Sequence, residues 1–133
     1  MSLIVHTSQY RYQGADRLDI TGKSKDPYGM IAEPTWHMVF SWKDGMWSWS
    51  QYRRAYRELL FKSEKENPDE WHNVVSREHV VLVCFCPAFG NCHRYEFAQW
   101  LVHRYCAIYK GELAVKPPFD LLESPQKRLT LFD

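Results

Sequence analysis

The chain has 133 residues, which is enough for one domain with a single core. Its net charge of +1 excludes nucleic-acid binding by bulk charge, although a local basic patch is compatible with it. No stretch is apolar enough to span a membrane, and the first residues lack the features of a signal peptide. Four cysteines without an export signal therefore predict a cytoplasmic protein with reduced thiols and no membrane partner.

The first third of the chain reads as one strand followed by a long polar loop. Residues 3–6 predict a strand, and residues 8–10 a loop beyond it. Residues 11–35 are rich in Gly, Pro, Asp and Lys, so they predict a long functional loop with one short strand at residues 18–21.

Helices are predicted in the middle of the chain. Pro34 fits the start of a short helix that ends in a turn at residues 43–45. Ser48 and Gln51 form a capping-box pattern, which predicts the start of a longer helix. The sequence Asn-Pro-Asp at residues 67–69 breaks that helix and begins a shorter one.

The second half predicts a central strand, a long helix and a last strand. The continuous apolar run at residues 80–84 is typical of a strand covered on both faces. A helix from about Cys92 and a short strand near residues 108–113 follow. Alternating strands and helices predict an α/β protein, a small three-layer fold with a mainly parallel sheet. It would form a single domain over residues 1–116, followed by a tail over residues 117–133 that begins with two prolines.

The turn between residue 84 and the helix at Cys92 concentrates reactive side chains. Such strand-to-helix turns collect phosphates, thiolates and metals. The groups concerned are Cys84, Cys86, Cys92, His93 and Arg94.

Two chemical interpretations of this turn involve the helix start. Cys92 beside His93 and Arg94 predicts a reactive thiolate with a lowered pKa. Alternatively, Arg94 and the backbone N–H groups of the helix bind a phosphate or carboxylate, with His93 as hydrogen-bond donor or general acid.

A third interpretation is a zinc site made by Cys84, Cys86, Cys92 and His93. The spacing argues against it, because adjacent residues of a helix point in different directions and paired zinc ligands are usually separated by two or more residues, whereas one residue separates Cys84 from Cys86. We therefore expect no cofactor and keep zinc as an alternative. In a fourth interpretation the thiols are simply buried and Arg94 pairs with a carboxylate.

The polar loop supplies a second set of candidates. Asp16 or Asp19 could serve as a general base or bind ribose hydroxyls, and Arg17 or Lys23 could bind phosphate. The alternative is a solvated loop with local ion pairs.

Taken together, these motifs resemble the domain of unknown function 488 (DUF488) family, in a phage and bacterial branch. The resemblance covers about residues 3–113 and rests on residues 7–10, residues 16–24, residues 34–39, Tyr52 with Tyr56, Leu82 to Cys84 and Cys92 to Arg94. It implies an α/β fold but no established common activity. It also implies that the matching positions line one cleft: Ser8, Asp16, Arg17, Asp19, Lys23, Ser24, Cys84, Cys92, His93 and Arg94.

The tail carries a separate motif. Arg128, Leu129, Leu131 and Phe132 resemble the bacterial sliding-clamp binding motif, with Arg in place of its first Gln. An apolar peptide of this kind binds a hydrophobic groove. The alternative is that these residues fold back onto the domain.

The sequence thus predicts a cleft that binds a nucleotide or a nucleic-acid component through phosphate, and could act on it. The predicted catalytic residues are Cys92, His93, Asp16 and Asp19, and the predicted ligand-binding residues are Ser8, Arg17, Lys23, Ser24, Cys84 and Arg94. The alternatives are a non-catalytic protein that sequesters a nucleotide signal, and a replication or repair accessory docked on the clamp.

Overall fold

A computed structural model describes residues 2–86 and 90–115. Within these residues the chain forms four strands, four α-helices and a short 3-10 helix at Gly29–Ala32. The strands are β1 (Ile4–Gln9), β2 (Arg17–Asp19), β3 (His79–Cys84) and β4 (Ile108–Leu113), and the helices are α1 (Trp36–Lys43), α2 (Trp49–Glu66), α3 (Pro68–Val75) and α4 (His93–Tyr105).

Local sequence signals place most element boundaries. The capping box that begins α2 is confirmed: Ser48 Oγ accepts from the Gln51 N–H at 3.2 Å, and Gln51 Oε1 accepts from the Ser48 N–H at 2.7 Å. The side chain of Thr35, rather than Pro34, caps α1 by accepting from the Met38 N–H. β1 is longer than predicted and contains Ser8, because it pairs with a neighbouring strand on each side up to its last residues.

The four strands form one wholly parallel sheet in the order β2-β3-β1-β4. The predicted α/β class with a mainly parallel sheet is confirmed. β3 is central and is buried from Val80 to Cys84, as its continuous apolar run indicates.

The handedness of parallel connections decides which face the helices cover. The β2–β3 and β3–β4 connections cross the sheet in the same direction, so right-handed crossovers put their helices on one face. Those helices and that face share one core, which includes Leu18, Tyr56, Val80, Leu82 and Phe97.

The β1–β2 connection crosses in the opposite direction and lies on the second face. Arg17 shares that face with Val81, and its guanidinium donates to the carbonyl oxygens of Tyr10 and Tyr12 at 2.9 and 2.8 Å. Within the described residues the outer layer on this face is therefore a loop rather than helices.

This topology brings the carboxyl ends of β2 and β3 and the start of α4 to one edge of the sheet. Ligand sites of open parallel sheets form at such edges. In the described part of the chain, no helix combines the length and apolarity that a bilayer crossing requires. The tail motif of Arg128, Leu129, Leu131 and Phe132 lies outside the described residues and stays a prediction.

Candidate functional site: a cysteine–histidine cluster under an aromatic pocket

Three thiols and one imidazole converge at this edge; we call Cys84, Cys86, Cys92 and His93 the Cys–His cluster. Cys84 is the last residue of β3, and Cys92 is the residue immediately before the first turn of α4. Their sulfur atoms lie 2.7 Å apart in the buried interior. Cys86, two residues beyond Cys84, lines the same pocket as these residues. The turn thus gathers four soft or borderline ligands in one place.

The predicted divergence of Cys92 and His93 is wrong, because their ligand atoms and that of Cys84 lie within 4.8 Å of one another. β3 ends at Cys84, and the chain bends at residues 85–86. Cys92 has extended backbone angles (φ −157°, ψ 145°), so Cys92 and His93 do not diverge as helical neighbours would. Both facts depend on where the regular elements stop.

The ring of His93 is held in one tautomer. Its Nε2 lies 2.6 Å from the carbonyl oxygen of Ile20, which can only accept, so Nε2 carries the proton. The unprotonated Nδ1 then faces the cluster, 3.8 Å from the Cys92 sulfur. Burial lowers the pKa of His93 and keeps the ring neutral. A role as general acid is disfavoured, because the only ring proton is donated to Ile20.

Arg94 is fully buried and donates hydrogen bonds to the Cys–His cluster. Its guanidinium forms an ion pair with Glu112 at 2.8 Å and donates to the Cys84 sulfur and the Cys86 carbonyl oxygen, each at 2.9 Å. The carboxylate partner considered in the sequence analysis is thus Glu112. Arg94 is buried and does not line the pocket, so its predicted contact with a bound anion is not supported.

The electrostatics of the thiols differ from the sequence prediction. Hydrogen bonds from the thiols of Cys84 and Cys92, with the charge of Arg94, lower the pKa of Cys86 to about 3. Burial raises the pKa of Cys92, so the predicted lowering at that residue is wrong. Cys92 lies beneath the start of α4, where desolvation outweighs the helix dipole.

A pocket of about 110 Å³ opens above the cluster. Its floor includes Cys84, Cys86, Cys92 and His93, and its walls are largely aromatic. The described wall residues are Thr21, Gly22, Pro34, Val39, Trp42, Lys43, Trp49, Tyr52, Phe85 and Asn91. Trp49 stacks on Tyr52 with a centroid distance of 4.9 Å, and Trp42 lies tilted against Trp49 at 5.1 Å.

Several predicted site residues lie away from this pocket, on the second face. Asp16 accepts from the Tyr12 hydroxyl at 2.7 Å and lies 2.5 Å from His79 Nδ1. The opposite nitrogen of His79 is 2.6 Å from Nδ1 of His6, so the three side chains form a continuous chain. Ser8 is buried and donates to the Leu113 carbonyl oxygen. With Arg17 bound to the loop above them, these groups do not join the Cys–His cluster.

The loop after β2 contributes less than predicted. Asp19 is buried and accepts from the Thr21 N–H at 3.0 Å. Ser24 accepts from the Asp26 N–H at 3.1 Å, and Lys23 is exposed; neither lines the pocket. The loop reaches the site through Thr21, Gly22 and the carbonyl oxygen of Ile20.

Sequence reasoning missed the pocket walls and the partner of Arg94. Trp42, Lys43, Trp49, Tyr52 and Asn91 line the pocket, but no motif in the sequence joins them to the cysteine turn. Tyr52 sits on the apolar stripe of α2, where helical spacing indicates core. Glu112 is separated from Arg94 by 18 residues, and no local signal joins them.

Fold and site together define a small α/β domain with a cysteine-rich pocket at the carboxyl edge of a parallel sheet. The model of the Active DUF488-N3 subclade matches residues 5–117. The chain belongs to the DUF488 family. Neither curated proteins nor solved structures gave a significant match.

Removing the partner of Arg94 should destabilise the fold. Both side chains of the Arg94–Glu112 pair are almost inaccessible (0% and 3% exposed), so Glu112→Ala removes the carboxylate that compensates a buried guanidinium charge. We expect a loss of about 3 kcal/mol or more in the free energy of unfolding, measured with urea at pH 7. Glu66→Ala, which removes an exposed pair with Lys62, is the control and should cost less than about 1 kcal/mol. Equal losses of stability in Glu112→Ala and Glu66→Ala would contradict the assignment of Glu112 as the buried partner of Arg94.

The free energy of unfolding should fall as the pH drops towards and below the ordinary histidine pKa of 6.5. Burial, with the nearby His79, lowers the pKa of His6 from 6.5, so the unfolded chain binds a proton that the folded chain resists. The free energy of unfolding should therefore decrease between about pH 7.5 and 5.5. His6 and His93, whose pKa burial also lowers, should each contribute at most about 1.4 kcal/mol per pH unit. His6→Gln should reduce this slope, and an unchanged slope would show that His6 is not its source.

Proposed function

We propose that this domain binds a nucleotide, or a nucleotide component of nucleic acid, and that the base enters the pocket above the Cys–His cluster. The carrying observation is the aromatic wall of Trp42, Trp49 and Tyr52 at the carboxyl edge of a parallel sheet. Aromatic walls bind planar rings, and this edge is where open parallel sheets bind nucleotides.

The volume of the pocket limits how much of the ligand enters. At about 110 Å³ it is smaller than the roughly 300–1,000 Å³ of pockets that enclose a whole ligand. A single planar ring fits this size, and the sugar and phosphate would remain at the mouth. The proposal is therefore recognition of the base by stacking.

Lys43 supports the phosphate part of the proposal. It is exposed at the end of α1 and borders the pocket, whereas Arg17 and Lys23 do not. Lys43 replaces Arg17, Lys23 and Arg94 as the proposed phosphate contact.

The reactive groups within reach of a bound ring are sulfur and imidazole. Of the residues predicted to be catalytic, Cys92 and His93 lie at the pocket floor, and Asp16 lies on the other face of the sheet. Asp19 is engaged with the Thr21 N–H. Cys86 is the partly exposed thiol of the three, so it is the group that a ligand meets first.

Removing one aromatic wall should weaken nucleotide binding. Trp42→Ala should raise the Kd by at least about fivefold, because stacking on one aromatic ring contributes roughly 1–3 kcal/mol. Calorimetric titration with a panel of ribonucleotides and the matching nucleosides measures the change. Trp36→Ala is the matched control, since Trp36 lies on the same helix, is 76% exposed and does not line the pocket.

The same titrations test the phosphate contact. Lys43→Gln should reduce the preference for nucleotide over nucleoside, measured as the ratio of their Kd values, by roughly tenfold. Lys23→Gln should leave this ratio unchanged. No binding of any panel member, or equal effects of Trp42→Ala and Trp36→Ala, would refute the proposal. The recovered ligand then separates two functions: an enzyme returns it changed, and a sequestering protein returns it intact.

The clamp interaction rests on the tail motif alone and is tested separately. The full chain should bind a purified bacterial sliding clamp, and joint replacement of Leu131 and Phe132 by Ala should abolish binding, because these side chains would fill the groove. Joint replacement of Leu121 and Leu122, which precede the motif in the same tail, is the control. If both double variants bind as the unaltered chain does, the motif is not a clamp ligand.

A further inference from the structure

We propose that Cys84, Cys86, Cys92 and His93 bind one zinc ion. Three thiolates and one imidazole are a ligand set of structural zinc sites. The ligand atoms of Cys84, Cys92 and His93 lie within 4.8 Å of one another in the buried interior. Cys86, which is partly exposed and lines the same pocket as these three residues, supplies the fourth ligand.

The orientation of His93 supports this assignment independently. A histidine that binds a metal usually donates its other ring N–H to a carboxylate, a backbone carbonyl or water, which fixes the ring and its tautomer. Here Nε2–H donates to the Ile20 carbonyl at 2.6 Å, and the lone pair of Nδ1 faces the sulfur atoms. The imidazole is thus prepared to act as a ligand through Nδ1.

Arg94 supplies the charge that such a site needs. Three thiolates and one Zn²⁺ sum to −1, and the guanidinium lies 2.9 Å from the Cys84 sulfur and 3.6 Å from the Cys92 sulfur. Hydrogen bonds to metal-bound thiolates belong to the outer shell that orients such ligands. Zinc binding gives a reason for a fully buried arginine to contact sulfur when it already has Glu112 as its ion-pair partner.

Only a small rearrangement would admit the ion. Two Zn–S bonds of about 2.3 Å at a tetrahedral angle put their sulfur atoms about 3.8 Å apart. The sulfur atoms of Cys84 and Cys92 are 2.7 Å apart, so they would separate by about 1 Å. The pocket above the cluster provides the path of entry.

Four protein ligands make a closed site, which is structural rather than hydrolytic. The ion would tie the end of β3 to the start of α4, directly under the pocket. This inference goes beyond nucleotide binding, because zinc content and ligand affinity are measured separately and either can fail alone.

Metal analysis of the full chain, purified without chelators, tests the proposal. We expect one zinc per chain by elemental mass spectrometry. After removal of the metal, titration with Co²⁺ should produce the thiolate-to-cobalt charge-transfer absorption at one equivalent, and Zn²⁺ should displace it. An unaltered chain that takes up neither ion would overturn the proposal without recourse to any variant.

Variants locate the ligands. Cys84→Ser, Cys92→Ser and His93→Ala should each lose stoichiometric zinc, whereas Cys106→Ser, which changes an exposed cysteine at the end of α4, should retain it. Loss of zinc in Cys106→Ser alone would place the metal elsewhere. The proposal also fails if peptide mapping of the denatured chain finds Cys84 and Cys92 joined in a disulfide.

Discussion

The buried guanidinium of Arg94 is the constraint on which the site depends. A charge without solvent costs several kcal/mol unless partners surround it. Those partners come from three parts of the chain: Glu112 from β4, the Cys84 sulfur from the end of β3, and the Cys86 carbonyl from the bend beyond it. Satisfying one cation therefore fixes the end of β3, the start of α4 and the edge strand β4 relative to one another.

Chain topology then decides what surrounds this point. Because two crossovers share a direction and a hand, α1 and α2 lie on the same face as α4, and their aromatic residues form the walls of the pocket. The third connection has the opposite direction, so it carries Asp16 to the other face, where it meets His79 and His6. Asp16 and the pocket-lining residues Thr21 and Gly22 belong to one predicted loop in the sequence, but the sheet separates them in the structure.

The pocket and the cluster support two proposals that rest on different atoms. Ring recognition depends on Trp42, Trp49 and Tyr52, whereas metal binding depends on sulfur and on Nδ1 of His93. A closed zinc site would leave stacking intact and would hold the pocket floor in place. Without the ion, the partly exposed Cys86 is the sulfur that a ligand in the pocket would meet first.

The sequence by itself determined the elements and the place of the chemistry. The capping box of Ser48 and Gln51, the proline that begins α3 and the apolar run of β3 are local signals, since each depends on neighbours within a few residues. The turn from Cys84 to Arg94 was identified in the same way, and its match to the DUF488 family is confirmed. Only the tertiary structure decided that Cys86 joins Cys84, that Arg94 pairs with Glu112, and that Asp16 and Arg17 leave the site. Those outcomes depend on where a strand stops and which face a connection crosses, and both are set by pairing between residues far apart in the chain.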